Sequence, residues 1–388
     1  MKNLIIAAVL LMPAVAGAQG NIKLGNLEIN PFVSTQETYD SNIYLTNTQR
    51  KSALINRTAF GVDLKENLGS RYNLKGGYSM ELLGYSRETS INNATHHNAN
   101  IGATGKLPKD ITVMVEDKWK QTTDQSTSQT IERAERIENV MGLNVNAPLR
   151  SKFGFSLAVN HIYNNYLSST LGSLDREEIL MGFDLEYKWQ PKTKLFFAYR
   201  HGILNYEEGY VSDATHENME LGITGNIAPK VQGTVKAGVQ IRKYDESLNS
   251  ADDEITTGGY SAQAVWKPME KTEVTLFAKR ANVESNYGDS RFYTSTLTDL
   301  GITREIGKIK AGIGMNYEGV LYSEKYDSTD ATDKVRFDEN ASVRLTAEYS
   351  IQKWLKADFA YIYKDRSSNF DNFEYKDNMI SLGLKATF

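Results

Sequence analysis

The sequence has no cysteine, 7 prolines and only 5 histidines in 388 residues. Lacking cysteine, it has no disulfides, no thiolate metal sites and no cysteine nucleophiles. A basic excess is also missing. The 44 Lys+Arg stand against 48 Asp+Glu, a formal net charge of -4, which argues against a general nucleic-acid binder. Beyond residue 20 no apolar run comes near the ~18 residues a spanning helix needs, so a helical membrane protein is excluded.

The first residues read as an export signal. Lys2 supplies a positive start, Leu4 to Val15 an apolar stretch too short to span permanently, and Ala16-Gly17-Ala18 a cleavage motif. The expectation is a signal peptide over 1–18, with a mature chain of 19–388 beginning at Gln19.

After Ile29 the chain alternates with period two. In Val231 to Tyr244 one face carries Val231, Val235, Ala237, Val239 and Ile241, the other Gln232, Thr234, Lys236, Gln240 and Arg242. Leu355 to Lys364, Ala341 to Ile351 and Ile179 to Trp189 repeat this pattern. Two kinds of connection alternate along the chain. Tight ones often hold proline, as at Pro108, Pro148, Pro191, Pro229 and Pro268, where a missing N–H costs nothing. Longer polar ones include Asp40 to Ala53, Thr122 to Arg133 and Tyr322 to Lys334. The five prolines lie 40, 43, 38 and 39 residues apart, and an apolar-Gly-apolar motif at Gly61, Gly102, Gly142, Gly182, Gly222, Gly301 and Gly383 keeps nearly the same beat. Each repeat holds two long strands rather than the four short ones of a propeller blade.

The fold expected is all-β: a transmembrane antiparallel up-and-down β-barrel of about 18 strands, with 16 as the alternative. Each strand has one apolar face and one polar or glycine face. A closed sheet with the polar face inward satisfies its backbone in lipid. Trp189, Trp266 and Trp354 lie beside tight turns and mark one membrane interface; Tyr39, Tyr85, Tyr163, Tyr206 and Tyr244 are the expected second girdle. Ile380, Leu382, Leu384 and Ala386 alternate up to a terminal Phe388, in the manner of the insertion signal read by the outer-membrane assembly machinery. Tight turns then face the periplasm and long loops the exterior.

Parity gives an expected pore lining of Lys75, Glu81, Glu116, Lys118, Asp184, Glu186, Lys188, Lys236, Arg242, Lys310, Glu318, Arg344, Glu348, Lys356, Asp358 and Lys385. Both signs are interspersed, which argues against strong ion selectivity; mutual pairing that keeps the lumen hydrated is at least as good a reading as substrate binding. The inward glycines relieve crowding, or alternatively leave a smooth track for a sliding polymer. No loop is long enough to plug the pore deeply; Asp40 to Ala53 is the longest candidate.

No motif points to catalysis, a metal or a cofactor. His96, His97, His161, His201 and His216 form no H-E-x-x-H pattern, and no G-x-S-x-G elbow occurs. His96 and His97 are adjacent, so on a strand they point to opposite faces; loop-edge positions are expected. The loop from Asp327 to Asp333 lacks the glycine and distal glutamate of a Ca²⁺ loop. A barrel enzyme acting on lipid or glycan stays open as a rival.

The run Ile29-Asn30-Pro31-Phe32-Val33, followed by Tyr39-Asp40-Ser41-Asn42-Ile43-Tyr44, resembles the opening of the putative β-barrel porin 2 family, with Ser41 in place of the usual second Asp. The resemblance implies an outer-membrane barrel found with exopolysaccharide biosynthesis. It further implies export of a surface polysaccharide and, as partner, a periplasmic polysaccharide-export lipoprotein. The expected function is thus a non-enzymatic outer-membrane channel for a hydrophilic solute or polysaccharide. A general diffusion porin for small solutes is the first alternative, and an adhesive barrel with a blocked lumen a further one.

Overall fold

A computed structural model of the chain describes residues 22–125, 133–149, 152–168, 171–207, 212–245, 254–285, 290–325 and 334–388. The expected signal peptide and the acidic loop from Asp327 to Asp333 lie outside the described residues.

A three-residue strand, β1 (Ile22–Leu24), precedes the barrel. The wall begins with β2 (Leu27–Asp40), β3 (Ala53–Leu68), β4 (Tyr72–Tyr85), β5 (Ala94–Lys106), β6 (Thr112–Thr122) and β7 (Arg136–Pro148). It continues through β8 (Phe153–Tyr166), β9 (Arg176–Gln190), β10 (Thr193–Tyr206), β11 (Ala214–Ala228), β12 (Val231–Tyr244) and β13 (Glu254–Met269). It ends with β14 (Thr272–Glu284), β15 (Phe292–Ile306), β16 (Ile309–Lys325), β17 (Val335–Ser350), β18 (Leu355–Ser368) and β19 (Tyr375–Thr387). Each strand pairs antiparallel with the next, and β19 pairs back onto β2 from Met379↔Asp40 to Thr387↔Phe32. Strands β2 to β19 therefore close an 18-stranded up-and-down barrel, the expected fold. Closure removes the sheet edge that lipid could not satisfy.

The turns explain the proline beat. Lys109 (φ 63°), Asp110 (φ 58°), Lys230 (φ 58°), Lys271 (φ 61°) and Gly307 (φ 61°) take left-handed backbone in the tight connections, the geometry that lets a short turn follow the twist of the strands it joins. Pro31 has a different logic. On its edge of β2, β1 pairs with Leu27 to Ile29 and β19 with Phe32 onward. Proline thus stands in the gap between two partners, where no ladder needs its missing donor.

The outward face is greasy. Leu221 (69% exposed), Ile101 (66%), Leu382 (63%) and Met141 (51%) point away from the barrel, as lipid contact requires. Trp189, Trp266, Tyr187, Tyr349 and Phe153 stay exposed near the tight turns, and Tyr39, Tyr260 and Tyr317 near the long loops. The expected second girdle needs correction here. Tyr39 and Tyr163 are on the outer face, but Tyr85, Tyr206 and Tyr244 are buried (1%, 8% and 5% exposed). Alternation decides the matter: Tyr244 stands two residues from Arg242, so both project to the same side.

Asp117 is an exception on the outer face. It is opposite Ile101 and Met141, within the apolar belt, and accepts a 2.5 Å hydrogen bond from Asn139 Nδ2.

Candidate functional site: the lumen and its outer mouth

Alternation turns one side chain in two toward the barrel axis. The sixteen charged residues expected in the lining all have inward parity. The inner face divides into two zones. Toward the tight turns the charges are paired but wet. Glu116 takes Lys118 at 3.0 Å and Lys75 at 3.5 Å, with the two lysines 61% and 50% exposed. Glu186 pairs with Lys194 and Glu220 with Lys236, both at 2.6 Å; Glu348 pairs with Lys356 at 2.9 Å. Lys385 lies 4.9 Å over the ring of Phe32. Asp358 accepts from Gln36 and Glu318 from Ser295. Arg344 sits opposite Gly314, and Lys310 opposite Glu348. Lys188 is opposite Lys194.

The repeating glycines belong to this zone, and their role is now concrete. A neighbour's side chain occupies the space over each one: Phe32 over Gly61, Lys75 over Gly102, Asn160 over Gly142, Arg200 over Gly182, Phe196 over Gly222, Thr275 over Gly301 and Asp358 over Gly383. Arg200 shows why. Lying flat on Gly182, it donates to the carbonyls of Phe183 and Tyr199, each at 2.9 Å, and pairs with Asp184 at 2.7 Å. Any Cβ at Gly182 would collide with it. The crowding reading of these glycines holds; the bare track does not, because the glycines are covered.

Toward the long loops the interior is packed. Arg136, Arg242, Arg291, Arg336 and Arg366 are all buried, as are Tyr85, Tyr166, Tyr206, Tyr244, Tyr293, Tyr322 and Tyr375. Guanidinium groups cover rings in turn: Arg133 lies 5.1 Å over Tyr85, Arg291 4.5 Å over Tyr244, Arg336 4.6 Å over Tyr322 and Arg366 4.8 Å over Tyr375. Such contacts strengthen once water is excluded. The charges find counter-charges as well. Arg336 grips Asp338 through two hydrogen bonds of 3.0 and 2.5 Å. Arg57 joins Glu81 and Asp124, each at 2.7 Å. His96 stands 3.3 Å from Glu81 and 2.9 Å from the Thr123 hydroxyl. Burial pushes the Asp124 carboxyl up, but the Arg57 hydrogen bond and charge outweigh it, and the net shift is below the usual carboxylate range.

His96 and His97 are in β5 rather than at a loop edge. They do face opposite ways: His96 is buried inside, and His97 reaches Tyr78 on the outer face at 2.8 Å. The long connection after β2 also folds inward. Ile43 packs on Ile55, Leu83 and Tyr85, and Glu88 clamps the segment through Lys51 and the Tyr44 hydroxyl. These bonds hold the half-buried Glu88 carboxyl below its ordinary range. Among the described residues no group of three His, Asp or Glu could hold a metal ion.

The packed zone is the part that sequence reading missed. Of its residues only Glu81 and Arg242 were in the expected lining. Arg57, Arg336, Arg366, Tyr322 and Tyr375 share the inward parity, and carrying the alternation to the strand ends would have found them.

Beyond the geometry, the sequence pattern of the putative beta-barrel porin 2 family matches residues 14–388. The chain belongs to this family. It is an outer-membrane β-barrel of porin type, as the family and the closed strand wall together establish. No curated protein matches it. Among solved structures, this porin-family barrel is similar to OccAB3 of Acinetobacter baumannii, at 10% identity and a TM-score of 0.48 over 93% of this chain and 99% of that one. It is similar also to the FrpB iron transporter of Neisseria meningitidis (10% identity, TM-score 0.45, 97% and 83% covered). The siderophore receptor PirA of Pseudomonas aeruginosa is a third (10% identity, TM-score 0.44, 93% and 80% covered).

Proposed function

We propose that the protein is a non-enzymatic outer-membrane channel that exports a hydrophilic polymer, an exopolysaccharide, through its polar lumen. The observation that carries this reading is the wet, charged vestibule, in which Lys75, Lys118 and Lys356 stay about half exposed beside their carboxylate partners. Hydrated ammonium groups beside carboxylates offer hydrogen bonds to the hydroxyls and carboxylates of a passing sugar chain without gripping it. Lipid-facing side chains and lumen-facing side chains alternate along every strand, so the polymer path and the membrane contact are set by one pattern.

On this reading the sixteen inward charges, from Lys75 to Lys385, line the vestibule and keep it hydrated while pairing with one another. A signal peptide over 1–18 directs export. Ile380, Leu382, Leu384 and Phe388 present the assembly signal to the outer-membrane machinery, and a periplasmic polysaccharide-export lipoprotein docks at the tight-turn end. Deleting the gene should abolish surface polysaccharide while leaving its cytoplasmic synthesis intact. Wild-type amounts of surface polymer in the deletion strain would remove the export reading.

A second reading, a diffusion porin for small solutes, is favoured by the balanced signs of the vestibule pairs. Liposome-swelling rates that follow solute size alone would support it.

A further inference from the structure

The wall of the barrel is not continuous at its outer end. Strands β12 and β13 pair as far as Lys243↔Glu254. Strands β14 and β15 pair as far as Glu284↔Phe292. Between them, the β13–β14 ladder stops at Tyr260↔Arg280. Among the described pairings, Glu254 to Gly259 of β13 and Ala281 to Glu284 of β14 have no partner on the edges that face each other.

The end of β14 has moved inward. Parity gives Asn282, Glu284 and Phe292 the outer side of their strands, together with Leu276 and Leu300, yet all three touch the inner side of the neighbouring wall. The Asn282 backbone N–H donates to the Gln240 side-chain oxygen at 3.2 Å, and its side-chain amide donates to Thr257 at 2.9 Å. Glu284 pairs with Arg242 and accepts from the Tyr206 hydroxyl at 3.2 Å. Phe292 is buried among Leu204, Tyr206, Ala214 and Tyr244. A contact from β14 to β10 bypasses three intervening strands and must run through the interior. The described ends of β14 and β15, at Asn282, Glu284 and Phe292, therefore lie inside the wall formed by β10 to β13.

We infer that these strand ends, Ala281 to Glu284 of β14 and Phe292 of β15, form a displaceable lid: a piece of barrel wall folded into the mouth, whose return to the free edge of β13 opens the channel. Folded in, the Asn282 N–H bonds to a side chain of β12; returned, it meets the backbone ladder of β13. The dipeptide Gly258-Gly259 lies where the ladder ends: a Cβ at Gly258, on the outer face, would meet nothing, whereas one at Gly259, on the inner face, would stand 3.0 Å from the Arg280 carbonyl, which marks where β14 turns inward. The inference needs only that water and ions cross the lumen, and so stands apart from the polymer reading.

The sequence has no native cysteine, which makes the test direct. Asn282→Cys with Gln240→Cys ties the lid to the inner wall. Asn282→Cys with Gly258→Cys links it to the edge of β13, since continuing the register from Tyr260↔Arg280 sets Gly258 opposite Asn282. Purified protein is oxidised, its folded state checked by heat-modifiable gel mobility, and its conductance recorded in planar bilayers. The expected result is that the first pair lowers conductance until a reductant is added, and the second raises it several-fold. Phe292→Ala, which needs no cross-link, should also raise the open fraction several-fold. Equal conductance of the two cross-linked forms overturns the inference, as does failure of the Gly258 pair to cross-link in folded protein. So does absence of conductance from both forms. Loss or retention of surface polysaccharide bears only on the export reading.

Discussion

The ring of Phe388 stacks on that of Trp354, with centroids 5.9 Å apart and planes 24° from parallel. Its backbone N–H donates to the Pro31 carbonyl at 2.9 Å, and Val33 and Ala386 complete the cluster. The final residue thus joins β18, β19 and β2 where the barrel closes. Phe388→Ala should cost about 2–4 kcal/mol, at the lower side of large-to-small aromatic losses because the site borders the membrane interface. Urea unfolding in detergent micelles measures it. A change below a few tenths would mean the ring contributes nothing to closure.

Asp117 places a carboxylate in the greasy belt, satisfied by Asn139 alone among the described hydrogen bonds. Acidic residues on a lipid face are destabilising, though less than Lys or Arg at the same depth. Replacing both partners, Asp117→Leu with Asn139→Leu, should raise stability by about 1–2 kcal/mol, because no polar group is then left in hydrocarbon. Asp117→Leu alone should gain less, since Asn139 loses its acceptor. A double variant less stable than wild type would show that this pair has a partner the isolated chain does not contain.

The Arg336–Asp338 pair is almost wholly enclosed, at 1% exposure for each residue. Arg336→Ala strands a buried carboxylate and should cost about 3–5 kcal/mol, whereas Arg336→Met with Asp338→Leu should cost markedly less. Thermal unfolding of the three proteins decides the matter. Equal losses for the single and double variants would mean that packing over Tyr322 and Phe373, rather than charge, holds this region.

The Glu88 clamp has a defined pH sense. Its hydrogen bonds with Lys51 and Tyr44 hold the folded carboxyl below its ordinary value of 4.5. The clamp is therefore fully present above that value, and is lost as pH falls through the lowered folded value. Amide hydrogen exchange at Ile43 and Leu45 should accelerate there beyond the intrinsic pH effect, and Glu88→Gln should remove that step. An unchanged profile in the variant would assign the step to another carboxylate.

Most of the architecture was legible because alternation is a strong signal in a wall with two solvents. The proline beat located the tight turns and the repeat counted the strands. The outer mouth was harder to read for two reasons. Tyrosine suits both an interface girdle and a buried cluster, so residue type pulled Tyr85, Tyr206 and Tyr244 outward when parity put them inside. Parity itself fails for Asn282 and Phe292, because alternation fixes a side of the strand but not where the strand goes. Their inward displacement depends on long-range contacts with Gln240 and Leu204, which no local pattern encodes.

The covered glycines have one more consequence. Lys75, Arg200 and Phe196 lie flush with the wall only because bare backbone lies beneath them. A methyl group at Gly102, whose close neighbours are all atoms of Lys75, would tip that lysine toward the axis and narrow the bore without changing its charge, whereas at Gly182 and Gly222 it would also meet a backbone carbonyl. A single Gly/Ala exchange at that position thus sets the calibre of the barrel by one step.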